Sequence, residues 1–176
     1  MKLAIDIPTL ETERLILREH RMTDFPAICD MWAHPAVTKY IGGKPRSEEE
    51  CWLKFLRAAG FWAHLGYGYW IIEDKETGAI AGEAGLGDFK REMTPSLSGA
   101  PEAGWALAAP FHGRGVGSEA VRAVLAWGDE QNFDAPMSCI IETGNKPSIR
   151  VAEKLGFVET TRTTYHGDDI IVFHRR

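Results

Sequence analysis

His112-Gly113-Arg114-Gly115-Val116-Gly117 is a turn in which every second residue is glycine, set between two apolar stretches of different period. Upstream, Glu102-Ala103-Gly104-Trp105-Ala106-Leu107 reads as a strand. Downstream, Ala120, Val121, Val124, Leu125 and Gly128 recur at helical spacing and define one buried face. The turn therefore joins a strand to a helix. Glycines free the backbone to curl without side-chain clashes, so several amides can converge on one anion. A helix starting near Gly117 adds unpaired N-terminal amides and the positive end of its dipole. A diphosphate fits such a cradle. Spacing sets two other phosphate motifs aside. A P-loop ends in Gly-Lys-Ser/Thr, whereas Gly117 precedes Ser118-Glu119. A dinucleotide fingerprint runs Gly-x-Gly-x-x-Gly and opens a βαβ unit, whereas this run is Gly-x-Gly-x-Gly after an antiparallel region. The plain alternative is an ordinary glycine-rich connector.

The same patterns place the other elements. Residues 137–141 form a strand, 147–155 a short helix stopped by Gly156 in the left-handed position, and 158–163 and 170–174 the last two strands. Toward the N-terminus, strands 69–72 and 80–84 flank the polar turn 73–78 as an antiparallel hairpin. Ser47-Glu48-Glu49-Glu50 is a capping box ahead of Trp52, Leu53, Phe55 and Leu56, so a helix starts near Glu48. Residues 14–18 form a strand, followed by a short helix capped by Thr23 and carrying Phe25, Ile28, Met31 and Trp32. The segment 88–101 is polar, holds Pro95, Gly99 and Pro101, and has no period; a mobile loop or lid is expected there.

At 176 residues, 44% hydrophobic and 26% charged, the chain suits a single domain, taken as residues 1–176. No apolar stretch approaches a membrane span, and Met1-Lys2-Leu3-Ala4-Ile5-Asp6 lacks the apolar segment and cleavage site of a secretory signal. The cytoplasm is the expected location, with no membrane partner. A net charge of -5 opposes attraction to a phosphate backbone, so no nucleic-acid partner is expected. Cys29, Cys51 and Cys139 are odd in number and far apart, which suits reduced, packed thiols rather than disulfides. His20, His34, His64, His112, His166 and His174 show no metal-binding spacing, and no metal is expected.

Joined to a second block, Asn145-x-x-Ser148 with Lys154-Leu155-Gly156-Phe157, the glycine turn resembles the GNAT superfamily of acyl-CoA-dependent N-acetyltransferases, whose signature is Gln/Arg-x-x-Gly-x-Gly/Ala. Gly115 and Gly117 match its glycines, and His112 stands where the family has Gln or Arg. Stretches 10–18, 40–43 and 80–86 resemble the branch of Rim-type ribosomal-protein N-acetyltransferases, so the resemblance covers nearly the whole chain. It implies an α+β (mixed α/β) fold: a mostly antiparallel central sheet with a splayed parallel strand pair, flanked by helices. It also implies acetyl-CoA as co-substrate, wedged between the strand before the turn and the strand ending near Ile141. The pyrophosphate then belongs on His112, Gly113, Arg114, Gly115, Val116, Gly117 and Ser118. The pantetheine arm and thioester belong along the backbone of Trp105, Ala106 and Leu107. Asn145 either hydrogen-bonds that arm or caps its own helix.

The implied reaction is direct attack of a primary amine on the thioester in a ternary complex. It needs a neutral nitrogen, donors to the developing oxyanion and a proton for the departing thiolate. Glu102 is the first candidate base. Glu83 is the second, its carboxyl expected to be raised toward neutrality by apolar neighbours. A solvated strand-face charge is the plain alternative for both. The position that many relatives give to a tyrosine acid is Ala152 here, so Ser148, one turn earlier, is the candidate thiolate donor; helix capping or solvent are its alternatives. Tyr40 is expected at the surface or in a groove, while Trp52, Phe61, Trp62, Tyr67, Tyr69 and Trp70 are expected mostly in the core, the alternative being an acceptor groove between the second helix and the central hairpin. Lys90 and Arg91 are expected to be solvated, or to attract an acidic acceptor. The acceptor is a protein or peptide N-terminus or a small-molecule amine, and a homodimer is compatible with the chain. With Ala152 and His112 departing from the pattern, the alternative is a non-catalytic acyl-CoA sensor.

Overall fold

The computed structural model describes residues 5–175; Met1, Lys2, Leu3 and Ala4, part of the stretch considered for a leader, lie outside the described residues. One sheet contains β1 (Leu10–Glu11), β2 (Leu15–Arg18), β3 (Tyr69–Asp74), β4 (Ile80–Gly87), β5 (Glu102–Leu107), β6 (Met137–Glu142), β7 (Val158–Tyr165) and β8 (Asp168–Arg175). Its spatial order is β1-β2-β3-β4-β5-β6-β8-β7. The helices are α1 (Phe25–Ala33), α2 (Pro35–Thr38), α3 (Glu48–Leu65), α4 (Val116–Asp129) and α5 (Lys146–Lys154). Among the described residues no helix is long and apolar enough to cross a membrane.

All neighbouring strands run antiparallel except β5 and β6. That parallel pair meets at a single register point, Glu102 opposite Ser138, where the Ser138 N–H donates to the Pro101 carbonyl at 2.9 Å. Beyond it the strands part. Their facing edges then carry backbone groups with no ladder partner, so the sheet opens into a cleft instead of closing. The expected mixed sheet with one splayed parallel pair is thus the observed one.

Period-2 alternation assigns the two faces. Trp70, Ile72, Ala84, Leu86 and Ala103 are buried in the core cluster that includes Val116, Ala120, Val121, Val124 and Leu125 of α4. Ile71 and Ala106 point the other way, into the cluster built on Ile28, Met31, Trp32, Cys51 and Phe55 of α1 and α3. The register places Glu83 beside Ile71 and Ala106, and Gly85 beside Tyr69 and Gly104, on that second face. The cleft is therefore walled by α1 and α3, with α4 behind the sheet.

Several local expectations needed correction. Thr23 does not cap α1; Met22–Asp24 forms a single 3-10 turn instead. The Asp24 carboxylate accepts from the Arg21 N–H at 2.7 Å and pairs with buried Arg18 at 2.8 Å, and such charge-assisted bonds outcompete a hydroxyl cap. The segment 88–101 has no regular structure but is tied down rather than free: Arg91 binds Glu102, the Gly99 N–H donates to Asp88 at 3.0 Å, and Leu97 is buried. Of the six aromatics assigned mostly to the core, Trp62 and Trp70 are buried there, Tyr67 packs at its margin, Trp52 is exposed on α3, and Phe61 and Tyr69 line the cleft. The Ser47 capping box forms as expected, with its two bonds at 2.8 and 3.2 Å.

Candidate active site

The glycine turn sits where the strand-to-helix pattern put it. Gly113 and Gly115 have φ of 71° and 76°, a region that side chains disfavour, and Gly115 occupies the N-cap of α4. The first intrahelical bond there is Glu119 N–H to Gly115 O, at 3.1 Å. The amides of Val116, Gly117 and Ser118 are consequently free of intrahelical acceptors. Arg14 braces the turn from outside, donating to the Arg114 carbonyl at 2.9 Å and pairing with Glu119 at 2.7 Å. His112 does local work: its Nε2 lies 2.8 Å from the Leu107 carbonyl, which can only accept, so the ring donates and ties the turn to the end of β5.

Between β5 and β6 lies a cavity of about 470 Å³. Gly104, Trp105 and Ala106 line one edge, Ile140, Ile141 and Glu142 the other, and Asn145, Ser148 and Tyr40 close one end. Leu107 and the residues from His112 to Ser118 lie beyond that lining. The Asn145 side chain accepts from the Ser148 N–H at 3.3 Å, so it caps α5, while the Ser148 hydroxyl makes no hydrogen bond among the described residues. Ala152 is fully buried.

The cavity's chemistry centres on Tyr69, Glu83 and Glu102. Neither Gly85 nor Gly104 puts a side chain on this face, which leaves room for the Tyr69 ring across two strands: a Cβ at Gly104 would stand 2.1 Å from its hydroxyl oxygen. Burial, with Glu102 and Glu83 adding charge, pushes the phenol above its ordinary value, so it keeps its proton at neutral pH and can serve as a donor. Sequence pattern favoured the core for most of these aromatics, with an acceptor groove as the alternative, and did not single Tyr69 out. The missed signal was its place on the same alternating face as Glu83, opposite two glycines.

Glu83 is 7% exposed. Its carboxylate accepts from Trp32 Nε1 at 3.1 Å and lies 3.3 Å from His20 Nε2. Burial would raise its carboxyl, but the His20 contact, the Lys54 charge and the Trp32 N–H outweigh that and hold it below its ordinary value. The expectation of a raised carboxyl at Glu83 is corrected accordingly. Glu102 is also buried, with both oxygens taken by Arg91 at 2.7 and 2.8 Å. Arg91 is no solvated loop residue: its guanidinium stacks over Phe89 at 4.6 Å and Tyr165 at 5.2 Å. Cys139 is buried and its thiol is pushed well above the ordinary value by burial, in keeping with a packing role.

Residues 14–158 match the family model described as an acetyltransferase (GNAT) domain. The chain is similar to the uncharacterised protein YkkB of Bacillus subtilis (strain 168), 32% identical over 142 residues, 80% of this chain and 78% of that protein. The crystal structure of an acetyltransferase from Agrobacterium tumefaciens str. C58 superposes with a TM-score of 0.82 at 30% identity, covering all of this chain and 98% of that one. RimL, a ribosomal-protein α-N-acetyltransferase solved with coenzyme A, shares the fold with a TM-score of 0.76 at 17% identity, covering 96% of this chain and 97% of that one. With the family model spanning most of its length and relatives of 30% identity or more covering four fifths or more of it, the chain belongs to the GNAT acetyltransferase family and is an acyltransferase.

Proposed function

We propose that this protein moves the acetyl group of acetyl-CoA to a primary amine by direct attack within a ternary complex. The observation that carries this is the parting of β5 and β6, which leaves unpaired strand edges between a helix N-terminus fit for a diphosphate and a cavity with a buried carboxylate and a phenol donor. RimL, a neighbour in fold, binds coenzyme A. In this reading the amides of Val116, Gly117 and Ser118 hold the diphosphate. The edges of Trp105, Ala106 and Leu107 hold the amide-rich arm, with Asn145 beside it.

The amine nitrogen attacks the thioester carbonyl, the C–S bond breaks, and two protons must move. Attack makes the nitrogen acidic, so an ordinary or weak carboxylate suffices to take its proton. Glu83 is the better base, because both Glu102 oxygens already accept from Arg91. Glu102 then holds Arg91 and the wall beside Tyr69. Tyr69 from the sheet and Ser148 from α5 are the donors to the departing sulfur. Tyr69 supplies the hydroxyl that Ala152 lacks, which removes the main support for a sensor. An α-amino group, with reference pKa of about 8, loses its proton at neutral pH for about 1 kcal/mol, against about 4.6 for lysine. Acceptors of the α-amino type, on a peptide N-terminus as in Rim-type enzymes or on a small molecule, are therefore favoured.

Thiol release from acetyl-CoA across peptides and small amines tests this reading. Release is expected with at least one acceptor, with kcat lowered about 10- to 100-fold by Tyr69→Phe and less by Ser148→Ala. Tight acetyl-CoA binding with no release on any acceptor would return the protein to the sensor class.

A further inference from the structure

The cavity also gathers cations that the transfer step does not use. Lys54, Arg57, Ala58 and Phe61, at i, i+3, i+4 and i+7 along α3, all line it, and Arg46 joins them from just before the helix. Arg91 spends its charge on Glu102; these three do not. Among the described residues neither Lys54 nor Arg57 has a hydrogen bond or ion pair to a carboxylate. Lys54 Nζ lies 4.1 Å from the Trp32 ring centroid, and the Arg57 guanidinium 5.0 Å from that of Phe89. Arg46 donates to the Ile41 carbonyl at 3.0 Å and approaches Glu50 only to 3.9 Å, while its buried Nε has no partner.

Lys54 senses the charges around it. Burial lowers the Lys54 ammonium to about 8; Glu83 opposes this, while Arg57 and Arg46 add to it. Glu83 is the carboxylate that counters Lys54 and Glu50 only approaches Arg46, while Arg57 is exposed at the cavity's α3 wall, so the three cations outnumber the carboxylates that face them. A bound anion would complete the balance. It is not the coenzyme's diphosphate, whose cradle opens α4 behind the sheet, whereas these residues share the α1 and α3 face with Glu83 and Ala106. Glu142 and Asp168 line the cavity from β6 and the start of β8, which confines a bound anion to the α3 side.

Resting on the acetyl-transfer reading above, we propose that the acceptor is a primary amine bearing a carboxylate or phosphate a few bonds from the nitrogen, the anionic group being held by Lys54, Arg57 and Arg46. The guanidinium forks match planar or tetrahedral oxyanions, and Lys54 adds a point charge next to the base. Polycationic amines are rejected by the same wall.

The test uses matched pairs: alanine against alaninamide, O-phosphoethanolamine against ethanolamine, and a peptide with an acidic first residue against its neutral counterpart. Thiol release from acetyl-CoA is measured together with calorimetric binding of each amine in the presence of coenzyme A. The anionic member of the productive pair is expected to exceed its partner about 10- to 100-fold in kcat/KM. The pair that responds separates carboxylate, phosphate and peptide sources. Lys54→Met combined with Arg57→Met abolishes the preference, and Lys54→Arg alone retains it, which distinguishes charge recognition from altered folding. Equal turnover within every pair, or a preference that survives the double variant, overturns the proposal while leaving acetyl transfer intact. Anion-dependent amine binding that the double variant loses, with no thiol released, upholds the subsite and overturns acetyl transfer instead.

Discussion

Glu83→Gln lowers kcat with a productive amine by about 1000-fold, within the 10²- to 10⁴-fold range of a positioned general base, and leaves acetyl-CoA binding unchanged. The substitution is nearly isosteric. Its amide oxygen still accepts from Trp32 Nε1, now 3.1 Å from the carboxylate, so the wall of α1 is kept while the proton acceptor is lost. The pH profile sharpens the test. Because His20, Lys54 and Trp32 hold the Glu83 carboxyl below its ordinary value, it is already ionised throughout the neutral range. Wild-type kcat/KM then rises with pH as the amine deprotonates, with no carboxylate inflection between about pH 5 and 7. An inflection there that Glu83→Gln abolishes would mean that burial wins over the three partners. Full activity in Glu83→Gln would remove the residue from the chemistry.

Gly104→Ala is expected to lower kcat about 100-fold and to cost about 1 to 3 kcal/mol of stability. The added methyl would stand 2.1 Å from the Tyr69 hydroxyl oxygen, so the two cannot coexist. The ring is packed between Phe61 and Phe89, with centroids at 6.4 and 6.2 Å, and can move only by disturbing both. Tyr69→Phe removes the clashing atom, leaving the ring carbon at 3.2 Å as the next neighbour. The double variant therefore regains most of the lost thermal stability without regaining activity. That split separates overpacking from loss of the donor, which a single variant does not. Wild-type turnover in Gly104→Ala would show that the Tyr69 hydroxyl lies away from the reacting atoms.

The elements of the proposed donor half were legible because their signals are local. Alternate glycines, the amphipathic face of α4 and the Asn145 cap each act within a few residues, and the structure keeps them where spacing put them. The acceptor half was not legible, because its determinants meet across the sheet. Tyr69 gains its place from Gly85 and Gly104, on two further strands. Glu83 takes its charge state from His20, Trp32 and Lys54, which approach from far along the chain, so its apolar sequence neighbours pointed the wrong way. Arg91 lay in a segment without period, and only the folded chain brings it onto Glu102. The helical spacing of Lys54 and Arg57 was visible in principle, yet periodicity does not say whether that face of α3 meets solvent or a cavity. The parting of β5 and β6 came from family resemblance alone, since no residue pattern in either strand specifies where a parallel ladder stops.

A crystal structure of the protein with coenzyme A tests the central claim most directly, because it locates the reacting sulfur relative to this chain's own groups. The expected result has the diphosphate on the amides of Val116, Gly117 and Ser118, the arm between β5 and β6, and the sulfur in the cavity beside Tyr69 and Ser148. Coenzyme bound elsewhere, or bound at the turn with its arm outside the parted strands, would contradict the account.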